Sequence, residues 1–439
     1  MPFATNVSRK LMLIGVSGAA LAISAPALAD PTPECNVGPG ADSTECGVNS
    51  VATGESATAT GDRAFASGDY STANGRLAAA EGESSVAVGD VASATADGTT
   101  AVGGNANATA AQATAFGFSA EAAGVNATAV GALSDALAAN STATGFRATA
   151  TGTGATANGD RAFASGEYST AVGRLAAAEG EASVAIGNVA SALGTDAVAL
   201  GNNANAVGNS TTAVGGLSNA NGPGATAFGW RANADAERAT ALGHLATATG
   251  VRSTAVGEQA TATGTGSSAF GDRAFASGEF STAVGRLAAA EGEGAIAIGN
   301  VASATADNAT ALGNGADATA VNATALGAGA QALHAGSTAI GAGAVTTADN
   351  QVTIGGAGST VRFGGYTNAG VLVNDANGNV TTNTTLLGNV ATNTANIATL
   401  QGQVAGLNTG VAALQSGLAT ANTNIANLQN QTNINIRDI

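Results

Sequence analysis

The sequence predicts an all-β repeat solenoid of 14-residue coils followed by a short α-helical coiled coil. Three observations carry this. Glycine recurs at every fourteenth residue from Gly61 to Gly355, 22 times without a slip. Alanine stands two residues before each of these glycines, with Thr353 the one exception. After residue 386 an apolar heptad replaces the fourteen-residue period. Composition agrees: 63 of 439 residues are Gly and 45% are hydrophobic, yet only 1 Trp, 3 Tyr and 11 Phe are present. An apolar fraction made mostly of Ala and Val is too small-sided to fill a broad globular core. A charged fraction of 10% lies far below the usual quarter and argues against both an ordinary enzyme domain and a charged disordered chain.

The first element is a targeting segment. Arg9-Lys10, the apolar run Leu11 to Ile23 and Ala27-Leu28-Ala29 have the three-part layout of a secretory signal, with cleavage expected after Ala29. A transmembrane anchor is the weaker reading, because no positive stop-transfer flank follows. Removing Arg9 and Lys10, the only lysine, takes two positive charges from a net of −16. A lysine-free acidic chain repels nucleic acid and anionic lipid, so neither is expected as a partner. Residues 30–46 form an N-terminal segment with the two cysteines, Cys35 and Cys46. In an oxidising compartment they are a disulfide candidate; two unpaired thiols are the alternative, and two sulfurs without a nearby His make a poor metal site.

The coils occupy residues 47–355. A second alanine ladder, Ala66, Ala80, Ala94 and onward, runs halfway between the first alanines and is broken only by Thr346. Before each ladder glycine, Val, Ile, Leu or Phe stands in 18 of 22 coils, Thr60, Asn74, Thr144 and Asn158 being the exceptions. Three residues before it, Thr occurs in 16 of 22 coils. A run such as Ser85-Val86-Ala87-Val88-Gly89 therefore alternates β-branched residues with Ala, as a strand does, and ends on a residue suited to positive φ or close backbone approach. A period this short means stacked coils about 4.8 Å apart, and 22 of them make a rod on the order of 100 Å long. With Ala inside, the larger apolar residues face out as a continuous stripe. Such stripes mark interfaces, so several chains are expected to pack them around an axis.

A longer duplication rides on the period. Gly61–Ala94, Gly159–Ala192 and Gly271–Ala304 are near copies, the first two differing at 5 of 34 positions and the last two at 4. Their spacings are 7 and 8 whole coils, which keeps the ladders in phase. Each block carries the same charges, with Arg63 and Arg76, Arg161 and Arg174, and Arg273 and Arg286 as candidate ligand-surface residues, joined by Tyr70, Tyr168 and Phe280. One reading is three ligand platforms along the rod. The other is solvated charge, or Arg–carboxylate pairs between neighbouring coils and chains.

Residues 356–385 read as a Gly/Asn-rich connector and 386–439 as a coiled-coil stalk. Val390, Ile397, Val404, Val411, Leu418 and Ile425 hold one seam position; Asn393, Leu400, Leu407, Leu414, Ala421 and Leu428 hold the other. Ala376–Ile436 carries no charge, and Gly402, Gly406, Gly410 and Gly417 each weaken the helix by about 1 kcal/mol, so this helix is expected only when bundled.

Periodic Ala-[Val/Ile/Leu]-Gly strands, a connector and a heptad stalk resemble the YadA-like trimeric autotransporter adhesins. The resemblance implies a left-handed parallel β-roll head, three identical chains, and attachment to host matrix, cells or surfaces from the outer membrane or the extracellular space. Asn393 is similar to the stalk asparagines that hold axial anions in that family; a register-setting polar residue is the other reading. Family members end in a four-stranded membrane anchor, and nothing after Leu428 supplies it. The expectation is therefore either a chain ending before its anchor or a secreted protein.

No enzyme chemistry, cofactor or metal is expected. His244 and His334 lie 90 residues apart and read as surface substitutions. Gly-x-Gly strings such as Gly152-Thr153-Gly154 follow from the period. The alternative function is a secreted ice- or polysaccharide-binding β-solenoid using ranks of Thr. Because those ranks share the face of the apolar stripe, the adhesin reading leads.

Overall fold

The computed structural model describes residues 35–362, 371–374 and 380–437; the signal segment read over residues 1–29 lies outside them. The chain divides into two units, one ending at Ser359 and one beginning at Thr360.

The first unit is the β-solenoid. Each coil has a three-residue strand such as Val86–Val88 and a two-residue strand such as Ser93–Ala94. The long strands form one parallel ladder: Thr100 is opposite Val86 on one side and Thr114 on the other. The short strands form a second, with Asn107 opposite Ser93 and Glu121. Every register is offset by 14 residues, so identical positions stack and one coil's alternation is repeated by all the others.

Alternation sends both alanine ladders inward, where Ala87, Ala94, Ala101 and Ala108 are completely buried. Two further positions, three after and four before the ladder glycines from Gly61 to Gly341, also point inward and hold only Ala, Ser or Thr. The largest fully buried side chains are Thr99, Thr211 and Thr346. The interior is as narrow as the alanine ladders imply. Seven of its serine hydroxyls, among them Ser71, Ser169 and Ser267, lack a hydrogen-bond partner. Ser141 at the same coil position instead donates to the carbonyl of Ala138 at 2.7 Å.

The glycine ladder has two causes acting together. At Gly271 φ is 132°, and a Cβ there would lie 2.6 Å from the carbonyl oxygen of Gly285 in the next coil. A second conformational device was not evident in the sequence. Each coil turns twice, as at Gly159-Asp160-Arg161 and Gly166-Glu167-Tyr168, and the last residue of each turn is left-handed although seldom glycine (Arg161 φ 54°, Tyr168 φ 56°). Val91, Val189 and Val301, the same position in the three duplicated blocks, hold this conformation against the preference of a β-branched residue.

The ends explain the exceptions. Cys35–Val37 pairs antiparallel with Thr44–Cys46, placing Cys35 opposite Cys46, and a disulfide joins them. Thr44–Cys46 also pairs in parallel with Thr58–Thr60, so the stack begins one coil before Gly61. There Glu45 replaces the ladder alanine and accepts the Ala52 N–H at 2.7 Å. At the far end Val352–Ile354 closes the long-strand ladder. Thr346, which interrupts the alanines, lies 3.0 Å from the Ser337 hydroxyl, oxygen to oxygen.

The second unit contains the hairpin Val371–Asn374/Val380–Asn383 and a single helix, Thr384–Arg437. Asn383 caps this helix, its Oδ1 accepting the Leu386 N–H at 2.9 Å. The helix is exposed along its whole length, including the seam residues Val390, Ile397, Val404 and Val411. Among the described residues no helix is long and apolar enough to cross a membrane.

Candidate functional site

Because every coil repeats, each surface position becomes a column along the roll. The flat coil has two faces and two turn edges, and their chemistry differs.

The long-strand face carries the residues flanking each inward alanine. In Thr226-Ala227-Phe228 the alanine is buried while Thr226 and Phe228 share the outer face. The Thr rank and the apolar rank therefore lie side by side, as the alternation requires. Phe116 and Phe228 are 54% and 52% exposed, and Leu200, Leu242, Leu312 and Leu326 continue the stripe.

The short-strand face is mixed: Phe65, Phe163 and Phe275 are exposed in the same rank as a run of polar side chains. Asn205 donates through Nδ2 to Asn219 Oδ1, and Asn219 to Asn233 Oδ1, both at 2.9 Å, an amide ladder that fourteen-residue spacing could have disclosed. Five coils before Asn205 in the same column, Asp135 lies directly opposite Glu121. Burial pushes the Asp135 carboxyl up to about 6, and the Glu121 charge adds to the effect.

The turn edges hold most of the candidate ligand residues. On the first-turn edge Arg76 reaches Asp90 of the next coil at 2.9 Å, and Arg286 reaches Asp272 at 3.4 Å. Arg63 lies 3.5 Å from Asp62, and Arg273 donates to Gln259 Oε1 at 3.1 Å. Arg161 and Arg174 occupy the same edge in the second block. All these pairs are well exposed and worth little individually. Tyr70, Tyr168 and Phe280 sit on the opposite, second-turn edge, so the arginines and aromatics do not converge on one site within a chain.

A cluster missed in the sequence lies on the first-turn edge. The Trp230 indole stacks on the His244 imidazole with centroids 5.0 Å apart and planes 12° apart, and the Arg231 guanidinium lies 4.6 Å from the indole centroid. Glu258 Oε1 is 3.7 Å from His244 Nδ1. His244 is thus part of a surface stack. His334 lies in a different coil, beside Thr346. Among the described residues no group of His, Cys, Asp and Glu could hold a metal ion. Asn393 is exposed on the single helix.

A parallel roll with an interior of Ala, Ser and Thr, a mostly apolar outer rank and charge dispersed along its turns is a repetitive β-solenoid. The family model for the YadA head domain repeat matches in a series of segments between residues 47 and 344, more than half of the chain. The chain belongs to this family of adhesin heads. Among solved structures it is similar to the collagen-binding domain of the Yersinia adhesin YadA, with 24% identity and a TM-score of 0.28, covering 39% of this chain and 86% of that one. No curated protein matches the chain.

Proposed function

We propose that this protein is an exported trimeric adhesin, a head-and-stalk rod that attaches to extracellular matrix protein, cells or surfaces by multivalent, non-catalytic binding. The observation that carries the reading is the exposed apolar stripe. It runs from coil to coil as Val88, Val102, Phe116 and Val130, half-exposed at the valines and exposed at Phe116, breaks at Thr144 and Asn158, and resumes from Val172 to Ile340. A stripe of this length on a lone chain is an unfinished interface. Three copies turning it toward a common axis would bury it, and the exposed heptad seam of the helix Thr384–Arg437 likewise needs partner helices to cover it. In that bundle Asn393 would set the register, or hold an anion on the axis.

Binding by such a rod comes from repetition. Three chains with three duplicated blocks each present the same groups many times, so weak contacts add through effective concentration. Collagen, which the related Yersinia domain binds, is a reasonable first ligand to screen, followed by other matrix proteins. A surface location, at the outer membrane or beyond it, fits the secretory signal read in the sequence.

The test is the solution mass of residues 30–439 by light scattering, with far-UV circular dichroism. A mass of three chains with mixed β and helical signal supports the reading, and a folded β-rich monomer would overturn it. The outward Thr rank beside the stripe would then favour the second reading, a secreted ice- or polysaccharide-binding solenoid.

A further inference from the structure

We infer that the two turn edges of the roll are complementary halves of one chain-to-chain contact: the first-turn edge of each chain seats on the second-turn edge of the next copy. This rests on the trimeric reading and specifies how the ring closes.

The geometry leads there directly. The two turns of a coil lie on either side of the long strand, so they flank the apolar stripe. When three copies turn that stripe toward an axis, the first-turn edge of one must meet the second-turn edge of its neighbour, a heterologous contact that closes into a ring. A closed ring has no axial slip, so residues at equal height face each other. Within a coil the two turns are half a coil apart, about 2.4 Å in height.

The two edges carry opposite charge. From Asp62 to Arg286 the first-turn edge bears eight arginines against five carboxylates. The second-turn edge, from Glu55 to Asp349, bears twelve carboxylates against two arginines. In the second duplicated block Glu167 falls halfway in height between Arg161 and Arg174 of a neighbouring chain, with Asp160 beside Arg161 the opposing charge, and Glu181 follows one coil on. The second-turn edge reverses at Arg238 and Arg252: Glu258 on the first-turn edge comes near the height of Arg252, while Arg238, beside Glu237, comes near that of Arg231.

Apolar groups match as well. Tyr168 lies halfway in height between Arg161 and Leu175. It is 63% exposed and lies flat against the coil before it, where Gly154 leaves the room: a Cβ at Gly154 would come 2.8 Å from the ring. Phe280 over Gly266, with Leu287 at the matching height, repeats the arrangement. Tyr168 and Leu175 are both left-handed turn residues, a conformation that other coils give to Asn or Gly at the same positions. Large apolar side chains are thus held, exposed, where the backbone disfavours them, and on both edges at the same height.

The test is disulfide trapping in residues 30–439 with Cys35 and Cys46 retained. The pair Tyr168→Cys/Leu175→Cys is compared with each single variant under mild oxidation. Within one chain these positions sit on opposite edges, separated by about five extended residues or roughly 16 Å, well beyond disulfide reach. The expected result is a covalent trimer on a non-reducing gel, at least tenfold more abundant for the pair than for either single variant. A light-scattering mass of three chains without this product would overturn the edge pairing and leave the trimer standing. Cross-linking by either single variant would overturn it too, since like edges would then meet. A mass of one chain would remove both readings together. Phe280→Cys/Leu287→Cys repeats the test in the third block should the first pair fail to fold.

Discussion

The indole of Trp230 and the imidazole of His244 lie one coil apart and stack with 12° between their planes. Fourteen residues separate them, so the stack is the repeat period expressed as an aromatic contact. Trp230 is the only tryptophan, which makes its emission a probe of one coil in the middle of the roll. His244→Ala should uncover one indole face to water and shift the emission to longer wavelength, while the far-UV dichroism stays unchanged. The cost in stability should be about 0.5–1 kcal/mol, that of an exposed ring pair. An unchanged spectrum would show that the stack does not persist in solution.

Glycine changes of opposite sign are expected in the two units. Gly271→Ala forces a Cβ into the backbone of Gly285 at a φ of 132°, combining overpacking with conformational strain. About 3 kcal/mol or more should be lost. Since each coil contacts only its neighbours, the damage should appear as protease sensitivity near that coil before the whole roll melts. Gly402→Ala, on the outer side of the heptad and with open space around it, should stabilise the helix by about 1 kcal/mol. Thermal melts followed at helical and β wavelengths separate the two effects, and equal behaviour of the two variants would contradict the argument.

The buried serines offer a gain. Ser267 is fully buried with its hydroxyl unpaired, and it stacks between Ser253 and Ser281, which are in the same state. Other coils place alanine at this point, as at Ala113 and Ala127, so the site accepts Ala without a cavity. Ser267→Ala should raise stability by about 1 kcal/mol, at the low end of the penalty for a buried unsatisfied hydroxyl. Ser141→Ala, which removes a made hydrogen bond to Ala138, should be neutral or destabilising. A denaturant series on both variants decides the matter; a loss at Ser267 would mean that its hydroxyl finds a partner in solution.

The stacking direction, the coil length and the alanine interior could be read from the ladders because a narrow parallel coil leaves those positions a single physical solution. The left-handed turn residues could not, since Arg161, Leu175 and Val189 are not residues whose preference announces that conformation. The tolerance comes from the turn around them, which the next coil holds in register by backbone hydrogen bonds such as Leu175 N–H to the Asp160 carbonyl at 2.9 Å. The Trp230–His244 stack and the Asn205–Asn219–Asn233 ladder were present in the sequence as spacings of fourteen, but only a structure tells which columns face the same way. The division of arginines and carboxylates between two edges stayed hidden for the same reason: along the chain Arg161 and Glu167 are near neighbours, and the coil sends them to opposite sides.

Acid should strengthen the roll at one point. The Asp135 carboxyl is raised from 3.8 to about 6 by burial, and Glu121 directly opposite adds repulsion. A raised native value means that the folded chain holds this proton more tightly than the unfolded one. The group's favourable contribution is therefore complete below about 3.8 and is lost as pH rises through about 6. Between pH 7 and pH 4 the wild-type roll should gain stability through Asp135, and Asp135→Asn should remove that gain. At pH 7 the variant should be more stable by about 1 kcal/mol, less than the full shift because the group is partly screened by solvent. At pH 4 the two proteins should melt alike. Asn107, in the same column two coils away, shows that this face accepts an amide. The difference between wild type and variant across the pH range is the quantity to measure. Parallel melting curves at all pH values would show that the Asp135 carboxyl is solvated, and with it that the short-strand face is open to water at this coil.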